Sequence, residues 1–219
     1  MKAFFLNIIL LIVAVSATAQ IRPVESLPIA VNYSKTIHLI FPSAVKYSQA
    51  VTDFVAVDNP ENVPHILRIK ANSKSFSKQT TVSVATEGGF FYSFNVSYAD
   101  SLEQTNYFLP GMTSINPDTV FINEVSQTHL IAPEKVIYID YGDTCINVSK
   151  AENTENIIRM IARTGSVQQF PKQTNVSFAT ESGRFFTFNV DYRDKPDAFV
   201  YEVGEKKPDR AGSGGAYRG

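Results

Sequence analysis

The chain has 219 residues, 44% of them hydrophobic, with 20 basic against 21 acidic side chains. That is enough apolar matter to bury a core, which excludes disorder by composition, and room for one large domain or two small ones. The near-zero net charge, with no basic cluster denser than Lys206, Lys207 and Arg210, argues against direct nucleic acid binding.

The first element in chain order reads as an export signal over residues 1–19. Met1 and Lys2 make a positive start, residues 3–17 are almost wholly apolar, and Ala17 and Ala19 stand at the −3 and −1 positions before Gln20. This is the order of a secretory signal peptide. The apolar run is short for a spanning helix, which needs about 20 residues. No cysteine follows the cleavage point, which argues against a lipoprotein anchor, and no later stretch reads as a spanning helix. The expected location is the periplasm, or peripheral association with the outer membrane.

After residue 20 the pattern is β. Strands are predicted at 29–32, 36–41, 53–57 and 65–71, then at 119–122, 127–131, 136–139, 144–148 and 157–162. Pro42 and Pro133 end strands, and Asn59-Pro60 with Pro64 marks a loop. Tyr92, Phe94, Val96 and Tyr98 share one face of a run whose other face carries Ser93, Asn95 and Ser97; Phe186, Phe188, Val190 and Tyr192 repeat it. Glu87-Gly88-Gly89 and Glu181-Ser182-Gly183 supply turns. Residues 80–86 with 90–98, and 174–180 with 184–192, therefore read as hairpins. A helical period shows only weakly, near 151–161.

These hairpins belong to a repeat. Phe76–Asp100 and Phe170–Asp194 are identical at 16 of 25 positions, at an offset of 94. Upstream the offset is 91: His38-Leu39-Ile40 answers His129-Leu130-Ile131, Val45 and Tyr47 answer Val136 and Tyr138, and Arg68 answers Arg159. Three extra residues in the second copy fall near 165–169. A period this long is a domain duplication. The expectation is an all-β chain of two tandem β-sandwich (Ig-like) domains: module 1 at 20–102, a linker at 103–118 with Pro110-Gly111 and Asn116-Pro117, module 2 at 119–204, and a flexible Gly-rich tail at 205–219.

Chemistry is sparse. His38, His65 and His129 have no further ligands nearby in sequence, so no metal site is expected, and half-exposed strand positions are the plainer reading. Asp53 with Asp58, and Asp140 with Asp143, read as solvated turns. Glu87 and Glu181 sit at hairpin tips. Cys145 cannot close an intrachain disulfide and is expected to be buried. The sequons at Asn32, Asn95, Asn147 and Asn175 carry no weight in so Ser- and Asn-rich a chain. No catalytic residue, cofactor or metal is expected, and the chain reads as a non-enzyme. What remains is a set of identical polar residues taken as outward-facing: Lys78, Gln79, Thr80 and Asn95 in the first copy, and Lys172, Gln173, Thr174 and Asn189 in the second. They form a candidate docking surface, with recent duplication as the plain alternative.

Val31-Asn32, Thr36, His38, Pro42, Val45 and Tyr47, followed by Ile66–Ala71 and Thr80–Asp100, make an ordered series that resembles the conjugative-transposon TraN family of Bacteroidetes. The resemblance spans about 29–102, and more weakly 121–194. It implies a β-sandwich subunit of a type IV secretion-like DNA-transfer apparatus in the bacterial envelope, working by docking to other envelope subunits as a homo- or hetero-oligomer. That family carries one such module followed by a different, longer region, where this chain has a second copy. The alternative reading is a periplasmic or surface module gripping glycan or peptide between its domains. Exposed aromatics would favour it, with Phe90, Phe91, Arg184 and Phe185 the positions to inspect; the plain reading puts Phe91 and Phe185 in the core.

Overall fold

The computed structural model describes residues 24–114, 116–165, 170–171 and 173–204. The export signal and the tail lie outside them, as do Lys172 and most of the loop with the extra residues. Among the described residues every regular element is a strand.

Module 1 contains β1 (Leu27–Val31), β2 (Ile37–Ile40), β3 (Val45–Ala50), β4 (Val55–Asp58), β5 (Ile66–Ala71), β6 (Thr80–Thr86), β7 (Phe91–Tyr98) and β8 (Asn106–Phe108). Module 2 repeats them as β9 (Thr119–Ile122), β10 (Thr128–Ile131), β11 (Val136–Tyr141), β12 (Ile146–Lys150), β13 (Ile157–Ala162), β14 (Thr174–Thr180), β15 (Phe185–Tyr192) and β16 (Val200–Glu202). Each module is a β-sandwich of two four-stranded sheets: β1-β7-β6-β3 on β4-β5-β2-β8, and β9-β15-β14-β11 on β12-β13-β10-β16. The first strand of each module runs parallel to the hairpin strand beside it, an immunoglobulin-like arrangement.

The alternation seen in the sequence decides what enters each core. In β6, Val82 and Val84 point inward, as do Phe94 and Val96 of β7, and all four are fully buried with Ile37, Leu39, Leu67 and Ile69 from the facing sheet. Val176, Phe178 and Val190 do the same in module 2 against Leu130, Ile158 and Met160. Both hairpins turn on a glycine with positive φ, Gly89 at 79° and Gly183 at 82°, where a side chain would be strained.

One boundary needs correction. The expected linker contains β8, which pairs in parallel with β2, so module 1 runs on through Phe108. Its counterpart β16, which pairs with β10, falls inside the expected module 2 but does not read as a strand in the sequence. Both strands are three residues long and owe their form to the neighbouring sheet edge, so they carry no periodicity. β3 also does not read as a strand in the sequence: it shares the bulge of β11 but carries Lys46 and Ser48 where β11 has Ile137 and Ile139. The helical hint near 151–161 resolves into a turn and β13.

The modules pack face to face. A third apolar cluster joins Val63 and Ile66 of module 1 to Tyr138 and Ala179 of module 2, with Ile40, Ile137 and Phe185 at its edge. The β4-β5-β2-β8 sheet therefore lies against β9-β15-β14-β11, and the four sheets form one stack. The effect shows in β14, where all seven residues are buried, while its equivalent β6 alternates buried and half-exposed.

Candidate functional site

The junction between modules is the most chemically elaborate place in the chain. Even-numbered residues of β2 and β5 point out of module 1 and meet odd-numbered residues of β14 and β15. Asn175 acts like a strand: its Oδ1 accepts from the Thr36 N–H at 3.0 Å and its Nδ2 donates to the Thr36 carbonyl at 2.9 Å. The Thr174 hydroxyl donates to the Ser34 carbonyl at 2.7 Å. Thr105 and Thr187 hydroxyls lie 3.3 Å apart.

Lys35 is 2% exposed. Its ammonium donates to the Leu102 carbonyl at 2.7 Å, Asn189 Oδ1 at 2.9 Å and Gln173 Oε1 at 3.0 Å. Three neutral dipoles thus replace water, with no direct counter-ion among the described residues, and burial lowers its pKa to about 8. A cleft of about 320 Å³ at the edge of this contact is lined by Lys35, Asp100 and Asp191.

His38 is fully buried, contrary to the half-exposed position expected. Its Nε2 lies 3.0 Å from the Tyr138 hydroxyl and 3.5 Å from Asp140 Oδ2, and its ring packs on Phe185 at 5.0 Å between centroids. Burial lowers its pKa to about 4; Asp140 pulls the other way, and Arg68 adds to the lowering. Asp140, expected in a solvated turn, lies in β11 one residue before its end, and its side chain is 11% exposed; Arg68 binds it at 2.6 Å and also pairs with Asp58. Burial opposes the Arg68 charge, but the bonds to Asp58 and Asp140 outweigh it and raise its pKa. The Tyr138 hydroxyl is pushed above its ordinary range, first by burial and then by Asp140. Lys70 donates to the Gly142 carbonyl.

The expected docking residues separate by copy. Gln173, Thr174 and Asn189 are engaged at the junction; Thr174 and Asn189 are buried there, and Gln173 is half-buried on the wall of the cleft. Thr80 is 5% exposed and turned inward, where the Thr52 hydroxyl donates to its Oγ1 at 2.8 Å; the expected outward placement is corrected. Lys78 and Gln79 are exposed, and Asn95 is half-buried on the outer face of module 1. Phe91 is 52% exposed, and Phe185 belongs to the junction cluster, so neither enters its own module's core. Cys145 is buried as expected, and burial, then Asp143, pushes its thiol up to about 12. Among the described residues no three His, Cys, Asp or Glu gather as metal ligands.

Identity between the copies does not reveal Lys35, Gly142 and Asn175. Their equivalents are Ser126, Val51 and Thr81. Differences between the copies were the readable signal. At Gly142 an added Cβ would lie 2.4 Å from the Ser34 carbonyl oxygen, whereas Val51 in the same place is 70% exposed.

Residues 29–102 and 120–196 each match the family described as Domain of unknown function (DUF8473). No curated protein matches. An endo-fucoidan hydrolase of glycoside hydrolase family 107 is similar over 77% of this chain and 28% of its own, at 7% identity and a TM-score of 0.25. A titin tandem of Ig domains covers 82% and 95%, at 10% identity and a TM-score of 0.23. The SGBP-B protein of the Bacteroides ovatus mixed-linkage glucan utilization locus, in complex with a heptasaccharide, covers 82% and 46%, at 10% identity and a TM-score of 0.22. The chain thus spans about a quarter of the hydrolase and under half of the glucan-locus protein.

Proposed function

The chain belongs to the DUF8473 family, carrying its domain twice, and from that premise we propose that it is a non-enzymatic assembly protein, a docking subunit of a conjugative, type IV secretion-like apparatus in the bacterial envelope. One observation carries the docking part. The outer face of β3, β6 and β7 is uncovered on module 1, yet its equivalent on module 2 buries another protein surface. Tyr47, Ser83, Ala85, Phe91 and Asn95 repeat Tyr138, Ser177, Ala179, Phe185 and Asn189. Tyr47 and Phe91 are 46% and 52% exposed, and Tyr138 is 7% exposed. A face with this chemistry suits protein contact.

The apparatus is supported by the ordered resemblance of residues 29–102 to TraN proteins, and export by the N-terminal pattern. The exposed Tyr47, Phe90 and Phe91 also favour a second reading, a glycan-binding face on module 1. Deleting the gene from a conjugative donor separates the two. The docking reading expects transfer to fall by about a hundredfold or more, and envelope pull-downs to recover mating-apparatus subunits. Unchanged transfer, with polysaccharide alone recovered, rejects it.

A further inference from the structure

We propose that the chain binds a second copy of itself head to tail, with the outer face of module 1 (β3, β6, β7) seated on the outer face of module 2 (β10, β13, β16), in the same pairing of faces that joins the two modules of one chain. This deepens the docking role proposed above by naming the partner. The intramolecular junction joins one β4-β5-β2-β8 sheet to one β9-β15-β14-β11 sheet. Duplication leaves one spare surface of each kind, at opposite ends of the stack.

Backbone bonds establish the equivalence of the two ends. Val51 N–H donates to the Thr81 carbonyl as Gly142 N–H donates to that of Asn175. His38 N–H donates to the Thr105 carbonyl as His129 N–H donates to that of Phe199. Asn32 Oδ1 accepts from the Ser34 and Lys35 N–H groups, as Asn123 Oδ1 accepts from Val125 and Ser126. Tyr47 pairs with Ala85 as Tyr138 pairs with Ala179, past the same bulge.

With this register, the centre of the junction is present on both free faces. His129, Ile131, Ile157 and Arg159 repeat His38, Ile40, Ile66 and Arg68. They would meet Tyr47, Ala85 and Phe91 as the originals meet Tyr138, Ala179 and Phe185. Gln49 stands at the Asp140 position, an acceptor for Arg159 without the ion pair.

The positions that differ show that the two contacts are not identical: a Cβ at the Gly142 position would lie 2.4 Å from the facing carbonyl oxygen, so Val51 holds this edge of the two faces further apart than in the junction. Val51 replaces Gly142, and the carbonyl it would approach belongs to Val125 in place of Ser34. Both valines are exposed, 70% and 86%. Ile161 replaces Lys70 beside the same spot. Phe199, exposed in place of buried Thr105, faces Ser93 in place of Thr187, larger opposite smaller. Polar fixation around Lys35 thus gives way to apolar contact. An untethered partner lacks the effective concentration a linker supplies, so it needs more burial to associate. Lys46, in place of Ile137, is the position least like its counterpart; its ammonium already pairs with Glu87 at the rim. Other exposed apolar side chains also gather at the two ends, Phe90 at one and Val200 at the other. Such a contact joins unlike faces, so it does not stop at two copies.

The test uses purified chain from Gln20 onward, which keeps every described residue, in analytical ultracentrifugation across a concentration series. The expected result is mass rising past the dimer. Phe91→Glu at one end and Ile157→Glu at the other each raise the concentration for half-assembly at least about tenfold. Mixing these two variants restores a single contact and gives a 1:1 dimer that grows no further. Val125→Asp, at a fully solvated position, repeats the Ile157→Glu effect if that variant folds poorly. A wild-type chain monomeric at about 1 mM overturns the inference. So does a dimer that Phe91→Glu leaves intact, or a mixture that stays monomeric. Failure here with apparatus subunits still recovered from envelopes removes self-association and keeps the docking role; loss of both removes both.

Discussion

The Tyr138 hydroxyl lies 3.0 Å from His38 Nε2, and the two residues come from different copies of one repeat. Their counterparts, Tyr47 and His129, do not meet within the chain; Tyr47 is exposed and His129 half-buried, on the outer sheets of the stack. The same pair of residue types is thus joined once and left open once.

Gly142 tests how closely the modules approach. A Cβ there would lie 2.4 Å from the Ser34 oxygen and 2.8 Å from Lys35 Cα, and neither backbone atom can swing aside as a side chain can. Gly142→Ala is expected to weaken the junction by ~1–3 kcal/mol, the usual cost of overpacking. Calorimetry should show the two modules melting in separate transitions, with faster proteolysis between Phe108 and Thr119. Val51→Ala, at the equivalent solvated site, should change stability by no more than ~0.5 kcal/mol.

Phe91 and Phe185 hold equivalent positions with opposite consequences. Phe91→Glu should leave the urea midpoint of a monomeric sample nearly unmoved, since the ring is already half in water. Phe185→Glu places a carboxylate beside the buried His38 ring and should cost ~2–4 kcal/mol. Equal losses from both would contradict the assignment of one face as covered and the other as free.

Acid should loosen the junction through His38. Its folded pKa, about 4, lies below the usual 6.5, so the unfolded chain takes up the proton first. Stability from the neutral ring is complete above pH 6.5 and falls as pH drops toward 4, by about 3 kcal/mol for this group alone. Asp140 and Tyr138 face it from β11, and Arg68 from β5. The measurement is the urea midpoint from pH 7 to 4, where His38→Asn should show a shallower decline than wild type.

Alkali acts in the other direction through Lys35. Its folded pKa of about 8 lies below 10.5, so between these values the unfolded chain carries more protons and stability rises with pH. The acceptors around it, Leu102, Gln173 and Asn189, are neutral, and Asp100 and Asp191 stand only on the wall of the adjoining cleft. The difference in urea midpoint between wild type and Lys35→Met should therefore shift in favour of wild type from pH 8 to 10. A difference that stays constant would mean the ammonium is not desolvated.

Alternating apolar residues, two turn glycines and a 94-residue echo were enough to derive an all-β chain of two sandwiches, because strand alternation and tight turns are local properties written into neighbouring residues. β8 and β16 were illegible for the converse reason: three residues become a strand only because β2 and β10 offer them an open edge. The fate of the candidate surface was likewise not legible in its own residues. Asn95 and Asn189 sit in matching strands with matching neighbours, yet one is half-buried at an open face and the other holds a buried ammonium. Gly142 and Asn175, where the first copy has Val51 and Thr81, mark the covered face along the chain, but what they meet, Ser34 and Thr36, is decided only by how the modules stack.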